Sequence, residues 1–210
     1  MNISIVILSA LVLTSCASHS LNYQQPTERE ATSSRVVNKP FKSVWEQLVE
    51  GLAQKNYVID SVNKDSGLIV ASKKLNPPSA FADCGKWDGH FKNMRVDEKY
   101  NFQGSDSANY MVKNGDVFIA VNRTATLNSK SNIFVKKVDT NKTSISVNSQ
   151  FNLKFDISTS AYVYPQGQVY GKDNLNMDWT SGETGLFGGT NKTECVSTFN
   201  LEGSILDLAK

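Results

Sequence analysis

Between Ile145 and Phe155 the side chains follow a period of two. Ile145, Val147, Phe151, Leu153 and Phe155 alternate with Ser144, Ser146, Asn148, Gln150, Asn152 and Lys154. A helix would scatter this apolar set around its circumference, whereas a strand puts it on one face and the polar set on the other. This segment must therefore be a half-buried strand in a sheet with one face on a core and one in water. Upstream, Val117, Ile119, Val121, Ala125 and Leu127 alternate with Ala120, Asn122, Thr124 and Thr126, and Ile133–Val138 reads as a further short strand. Asp139-Thr140-Asn141-Lys142 has turn composition, so the two long patterns predict neighbouring antiparallel strands.

A second period appears earlier. After a short strand at Arg35-Val36-Val37, Pro40 suits the start of a helix. Phe41, Val44, Trp45, Leu48 and Leu52 then recur at helical spacing. Asn56 tolerates a left-handed turn and predicts the helix end. Tyr57–Val62 and Leu68–Ser72 read as a strand pair around the turn Asn63-Lys64-Asp65-Ser66-Gly67. Leu201, Ile205 and Leu208 predict a short closing helix. Residues 74–116 and 156–195 lack a clear period, and both are too long for simple loops, so each is expected to hold additional short strands.

The chain begins with a short apolar run, Ile3–Leu13, too short to span a bilayer, which needs roughly 20 apolar residues. It leads into Leu13-Thr14-Ser15-Cys16, the pattern of a bacterial lipobox. The alternative is a simple secretory leader cut elsewhere. Under the lipobox reading, cleavage falls between Ser15 and Cys16, residues 1–15 are a signal peptide, and Cys16 carries a diacylglycerol thioether and acyl chains such as palmitate. Each buried methylene adds about 0.8 kcal/mol of membrane affinity, so several chains hold the protein permanently. Similarity to bacterial lipoproteins also implies sorting. Ala17 and Ser18 follow the cysteine rather than a retaining Asp, which implies the outer membrane, facing the periplasm. Residues 16–33 are polar and nearly free of aliphatic side chains, a composition expected of a flexible tether, and residues 34–210 are expected to form one domain.

Lipidation of Cys16 leaves two of the three cysteines, Cys84 and Cys195, in an oxidising compartment. A disulfide between them would join the two stretches that lack periodicity, closing a long loop worth about 4–5 kcal/mol in the chain-entropy model. A metal site built from Asp83, Cys84, Asp88 and His90 is the competing reading. It has neither a Cys-x-x-Cys nor a paired histidine, so no metal and no cofactor are expected.

The net charge is +2 with no basic run, so nucleic acid is not an expected partner. No Gly-x-Ser-x-Gly occurs, and the glycine cluster at 182–189 lacks the Gly-Lys-Ser/Thr ending of a phosphate loop. Scattered acids nominate no carboxylate pair. The Asn-x-Thr triplets at Asn122, Asn141 and Asn191 read as strand and turn composition. Phe81, Trp87, Phe91, Tyr100, Phe102 and Tyr110 cluster in the first irregular stretch, and Tyr162, Tyr164, Tyr170, Trp179 and Phe187 in the second. They read either as a partner or glycan surface or as filling around the disulfide.

The run Pro40-Phe41-Lys42-Ser43-Val44-Trp45 through Tyr57-Val58-Ile59-Asp60 to Asn63-Lys64-Asp65-Ser66-Gly67-Leu68-Ile69 resembles the lipoprotein C subunit of the outer-membrane β-barrel assembly machinery. That subunit has two such domains, a long tether and no cysteine pair, so the resemblance implies a fold and not membership of the complex. The implied class is α+β: an antiparallel sheet packed on an N-terminal and a C-terminal helix, in a helix-grip-like arrangement. The expected function is a non-enzymatic, lipid-anchored envelope protein, a protein-binding or assembly adaptor at the outer membrane. Its partners would be the membrane, through the N-terminal lipid, and other envelope proteins. The alternative is a carrier holding a lipid or small apolar ligand between the sheet and the C-terminal helix.

Overall fold

The computed structural model describes residues 17–27, 30–187 and 193–210. The expected leader, Ser15 and the expected lipidation site Cys16 lie outside the described residues. Strands β1 (Ser18–Gln24) and β2 (Ser34–Val37) precede helix α1 (Phe41–Gln54), and β3 (Val58–Asn63) and β4 (Leu68–Leu75) follow it. Next come β5 (Ala82–Asp83), β6 (Lys86–Lys92), β7 (Asp97–Gln103) and β8 (Ala108–Asn114). Two very long strands, β9 (Val117–Asp139) and β10 (Lys142–Val163), lead into β11 (Gly167–Thr180). The chain closes with β12 (Gly185–Phe187), β13 (Thr193–Ser197) and helix α2 (Asn200–Leu206).

Strands hold 61% of the described residues and helices 14%, so the protein is mostly β and the α+β helix-grip expectation is wrong. The cause lies in β9 and β10. Polar residues 128–132 separate two apolar patterns in the sequence and were expected to end a strand. They do not. β9 runs unbroken for 23 residues and β10 for 22, paired throughout with a single irregularity at Lys142/Thr143. At about 3.3 Å per residue each strand is roughly 75 Å long, whereas the 14-residue α1 measures about 21 Å. Two helices cannot cover such a hairpin, and a second sheet covers the rest.

The polar break is tolerated because its inward hydroxyls are satisfied. Ser131 and Ser149, both fully buried, share a hydrogen bond of 2.9 Å. Ser129 donates to the Lys73 carbonyl at 3.1 Å, and Thr143 to the Lys39 carbonyl at 2.9 Å. A buried hydroxyl without a partner would cost about 1–3 kcal/mol, so these pairings let the ladder continue through a polar segment.

The main sheet is seven-stranded and antiparallel, in the order β11-β10-β9-β4-β3, with β2 on β10 and β8 on β9. Near the Asp139–Lys142 turn its inner face meets both helices. Val44, Trp45, Leu48 and Leu52 of α1 pack with Ile69, Ile133, Val135 and Ile145, and Leu201, Ile205 and Leu206 of α2 complete the cluster. The helical stripe thus lies where the sequence puts it, and α1 ends at Asn56 with φ +59°.

At the far end of the hairpin a three-stranded sheet, β1-β6-β7, supplies the cover. The strand β1 falls inside the stretch expected to be a tether. Its alternation is thin, because Leu21 and Tyr23 are its only large apolar inward groups, set opposite Gly89 and Trp87 of β6. Gly89 makes the room, since a Cβ there would lie 2.9 Å from Leu21 Cδ1. His19 Nε2 donates to the Met111 carbonyl at 2.7 Å and ties β1 to β8. Of the expected tether, Ala17 and residues 25–27 and 30–33 are described without regular structure.

Leu48 is fully buried between helix and sheet. Leu48→Ala is expected to lower the unfolding free energy by about 2–5 kcal/mol, read from the shift of a urea transition.

Candidate functional site

The space between the seven-stranded sheet and the β1-β6-β7 sheet is built around one buried cation. Arg123 lies on β9 at an inward position, two residues from buried Val121, and is only 7% exposed. Its guanidinium carbon stands 4.4 Å from the Phe155 ring centre, 5.2 Å from Phe102 and 6.0 Å from Tyr110. Its recorded hydrogen bonds both leave from Nη2, to the carbonyls of Asp106 at 2.8 Å and Gln103 at 3.4 Å. Nε is buried with no acceptor, and Nη1 has none among the described residues. None of the ion pairs among the described residues includes Arg123. Burial pushes its pKa below the usual guanidinium value, against the opposing influence of Tyr110 and Asp106.

The carbonyls that hold Arg123 come from a turn fixed to the disulfide. Cys84 and Cys195 are joined, with Cα atoms 4.0 Å apart and both residues fully buried. Gly104 lies so close to this bridge that a Cβ would fall 2.0 Å from the Cys84 carbonyl oxygen. Its N–H donates to Gly85 O at 2.7 Å, and the Ser105 hydroxyl donates to Ala82 O at 2.8 Å. The Asp106 carboxylate accepts from Ser79 N–H at 2.9 Å, and Ser107 Oγ accepts from Ala125 N–H at 2.8 Å. On the other side, the Tyr23 hydroxyl donates to Glu194 O at 3.3 Å and accepts from Glu194 N–H at 3.1 Å, which pins β1 to β13.

Within this frame lies a cavity of about 170 Å³, bordered by Trp87, Phe102, Tyr110, Arg123, Phe155 and Phe187. Tyr110 also borders a wider, more open cleft of about 430 Å³, with Tyr100, Val121 and Thr159. Both tyrosines are held neutral. Burial raises the pKa of Tyr110, and burial together with the hydrogen bond to Glu98 raises Tyr100 to about 12. Aromatic walls, one cation and neutral hydroxyls suit the binding of an apolar molecule with a polar end.

The sequence candidates distribute unevenly over this site. Cys84 and Cys195 support it from behind. The alternative metal ligands do not converge: Asp83 accepts from Gly85 N–H at 2.9 Å, and His90 pairs instead with Asp97 at 2.6 Å. The first aromatic cluster supplies Trp87, Phe102 and Tyr110 to the cavity wall, and Phe91 meets Phe118 edge-on at 5.1 Å. The second cluster splits: Phe187 joins the wall, Trp179 stacks on Phe151 in the core, and Tyr162, Tyr164 and Tyr170 are exposed on the β10–β11 hairpin. The sequence reading missed Arg123. The available signal was a gap in the apolar series between Val121 and Ala125, where a cation occupies an inward position.

Cys84→Ser is expected to lower the unfolding free energy by about 2–5 kcal/mol and the melting temperature by several degrees. Non-reducing mass analysis of the wild type should find no free thiol at Cys84 or Cys195. Comparison of the chain with models of protein families, with curated proteins and with solved structures finds no match.

Proposed function

We propose that this is a non-enzymatic, lipid-anchored envelope protein whose folded part binds a small, largely apolar ligand between its main sheet and the β1-β6-β7 sheet. The anchor is Cys16 after removal of residues 1–15, and the site of action is the periplasmic side of the outer membrane. The observation that carries the ligand reading is the aromatic cavity, which shares Tyr110 with a wider cleft. Natural cores are close-packed, and a void of this size in an aromatic lining forgoes contact energy unless something fills it. A dry apolar cavity of about 150 Å³ already binds a benzene-sized molecule. The binding space differs from the one expected beneath the C-terminal helix. Ile205, Leu206 and Ala209 are fully buried in the core and fill that position themselves.

An adaptor role has a separate observation in its favour. Tyr162, Tyr164 and Tyr170 are 68%, 86% and 82% exposed on one hairpin, and tyrosine is enriched at protein interfaces. In-cell crosslinking and affinity purification of wild type and a Tyr164→Ala/Tyr170→Ala variant tests it. A stoichiometric envelope partner lost in the variant supports the role, and a protein recovered alone removes it.

The ligand reading is tested on the mature protein in isolated membranes with a photoreactive, uncharged decanol analogue. Label is expected in the peptides carrying Trp87, Phe102 and Tyr110, and Ile157→Trp, which fills the cavity, should reduce it several-fold while the protein still melts cooperatively. Label confined to other peptides overturns the reading. Cys16→Ala is expected to move the protein out of the membrane fraction or mislocalise it, and normal retention would refute the anchor.

A further inference from the structure

We infer that the ligand of the inter-sheet cavity is an acid: an apolar chain or ring ending in a carboxylate, which Arg123 recognises. This rests on the ligand-binding reading above and adds the chemistry of its head group. A guanidinium placed in an apolar interior is costly, and proteins ordinarily compensate it with a carboxylate or with a full set of acceptors. Arg123 has neither. The two carbonyls of the 103–107 turn accept from Nη2 alone. Nε–H is buried with no acceptor, and the hydrogen bonds of the guanidinium to described residues leave from Nη2 alone, although it borders the cavity.

The nearby acids make no ion pair with the guanidinium, although the Asp106 charge acts on it through space. Asp106 accepts from Ser79 N–H, and Glu98, which borders the wider cleft, accepts from the Tyr100 hydroxyl at 2.9 Å. The aromatic faces around the cation stabilise it without neutralising it, since cation–π attraction leaves the formal charge in place. What is missing is one negative charge on a molecule whose remainder suits aromatic walls.

The alternative is that Arg123 only braces the 103–107 turn. The two ideas separate on head-group preference. Bracing of the 103–107 turn uses the Nη2 donors whether or not a ligand is present, whereas discrimination between an acid and its alcohol needs the charge.

The test uses the mature, lipidated protein in isolated membranes at pH 8, with the photoreactive decanol analogue as reporter and free concentrations measured. Decanoate, decanol and inorganic phosphate compete for labelling of the Tyr110 peptide. A charge-assisted hydrogen bond in a desolvated site is worth about 1.5–3 kcal/mol, so decanoate should compete at least about tenfold better than decanol on wild type. Phosphate, a free anion with no apolar part, should not compete. Arg123→Gln should abolish the preference for decanoate while decanol still competes.

Equal competition by decanoate and decanol on the wild type overturns the inference and leaves the ligand-binding reading standing. A preference that persists in Arg123→Gln also overturns it. Competition by phosphate alone would make the site one for free anions and refute the apolar acid. Absence of reporter labelling at this site refutes the ligand-binding reading itself. Should Arg123→Gln fail to fold, the wild-type ratio decides.

Discussion

The β9–β10 ladder is the element on which everything else is hung. Its half nearest the Asp139–Lys142 turn receives β4 and β3 on one edge and β2 on the other, and both helices pack against it. Its other half receives β8 and β11 and faces the β1-β6-β7 sheet. A hairpin of this length can serve two layers only if it stays paired across the polar segment between them. The Ser131–Ser149 hydrogen bond is one of the contacts that allow this. It continues into a chain of polar contacts: the Ser181 hydroxyl accepts from Ser149 N–H at 3.0 Å and donates to Glu202 of α2. The C-terminal helix is thereby fastened to the middle of the ladder by hydrogen bonds as well as by its apolar side chains.

The disulfide acts on the second half of the molecule. Cys84 directly follows β5 and Cys195 lies within β13, and these two strands pair over only two residues each. So little ladder is a weak constraint, and a covalent link over a long loop is where a crosslink restricts the unfolded chain most. In the folded protein the same bridge sets the height of the turn at Gly104, where no side chain fits. That turn delivers the carbonyls of Gln103 and Asp106 to Arg123. The chain of cause runs from a cysteine pair, through a glycine with no room for a Cβ, to the orientation of a buried cation.

Wherever one apolar period was sustained, the sequence was legible. The stripe Val44, Trp45, Leu48 and Leu52 gave α1, the alternation around Phe151 gave β10, and the two remaining cysteines gave the crosslink. Legibility failed where inward positions were polar or sparse. Ser129 and Ser131 face inward and look like a loop until their partners are known, so one long hairpin read as several short strands. In β1 only Leu21 and Tyr23 mark the inward face, too few to separate a strand from a tether by composition. Both failures have the same origin: hydropathy reports the side chain, whereas burial depends on whether a partner across the fold satisfies it. The class assignment followed from these errors, because a shorter hairpin would have needed no second sheet.

Arg123 belongs with the polar residues that hydropathy misreads, and it differs from them in one respect. Ser131, Ser149 and Thr143 each find their partner inside the protein. Arg123 finds partners for one of its three nitrogens among the described residues, although it is as buried as Val121 beside it. A leucine at this position would fit the alternation and face the same aromatic rings without any desolvated charge. Purely structural bracing of the 103–107 turn is also already supplied by Ser105, Asp106 and Ser107, whose side chains bond to three separate segments. A buried charge that makes no ion pair among the described residues, set at the edge of a cavity, is best understood as the protein's half of a pair.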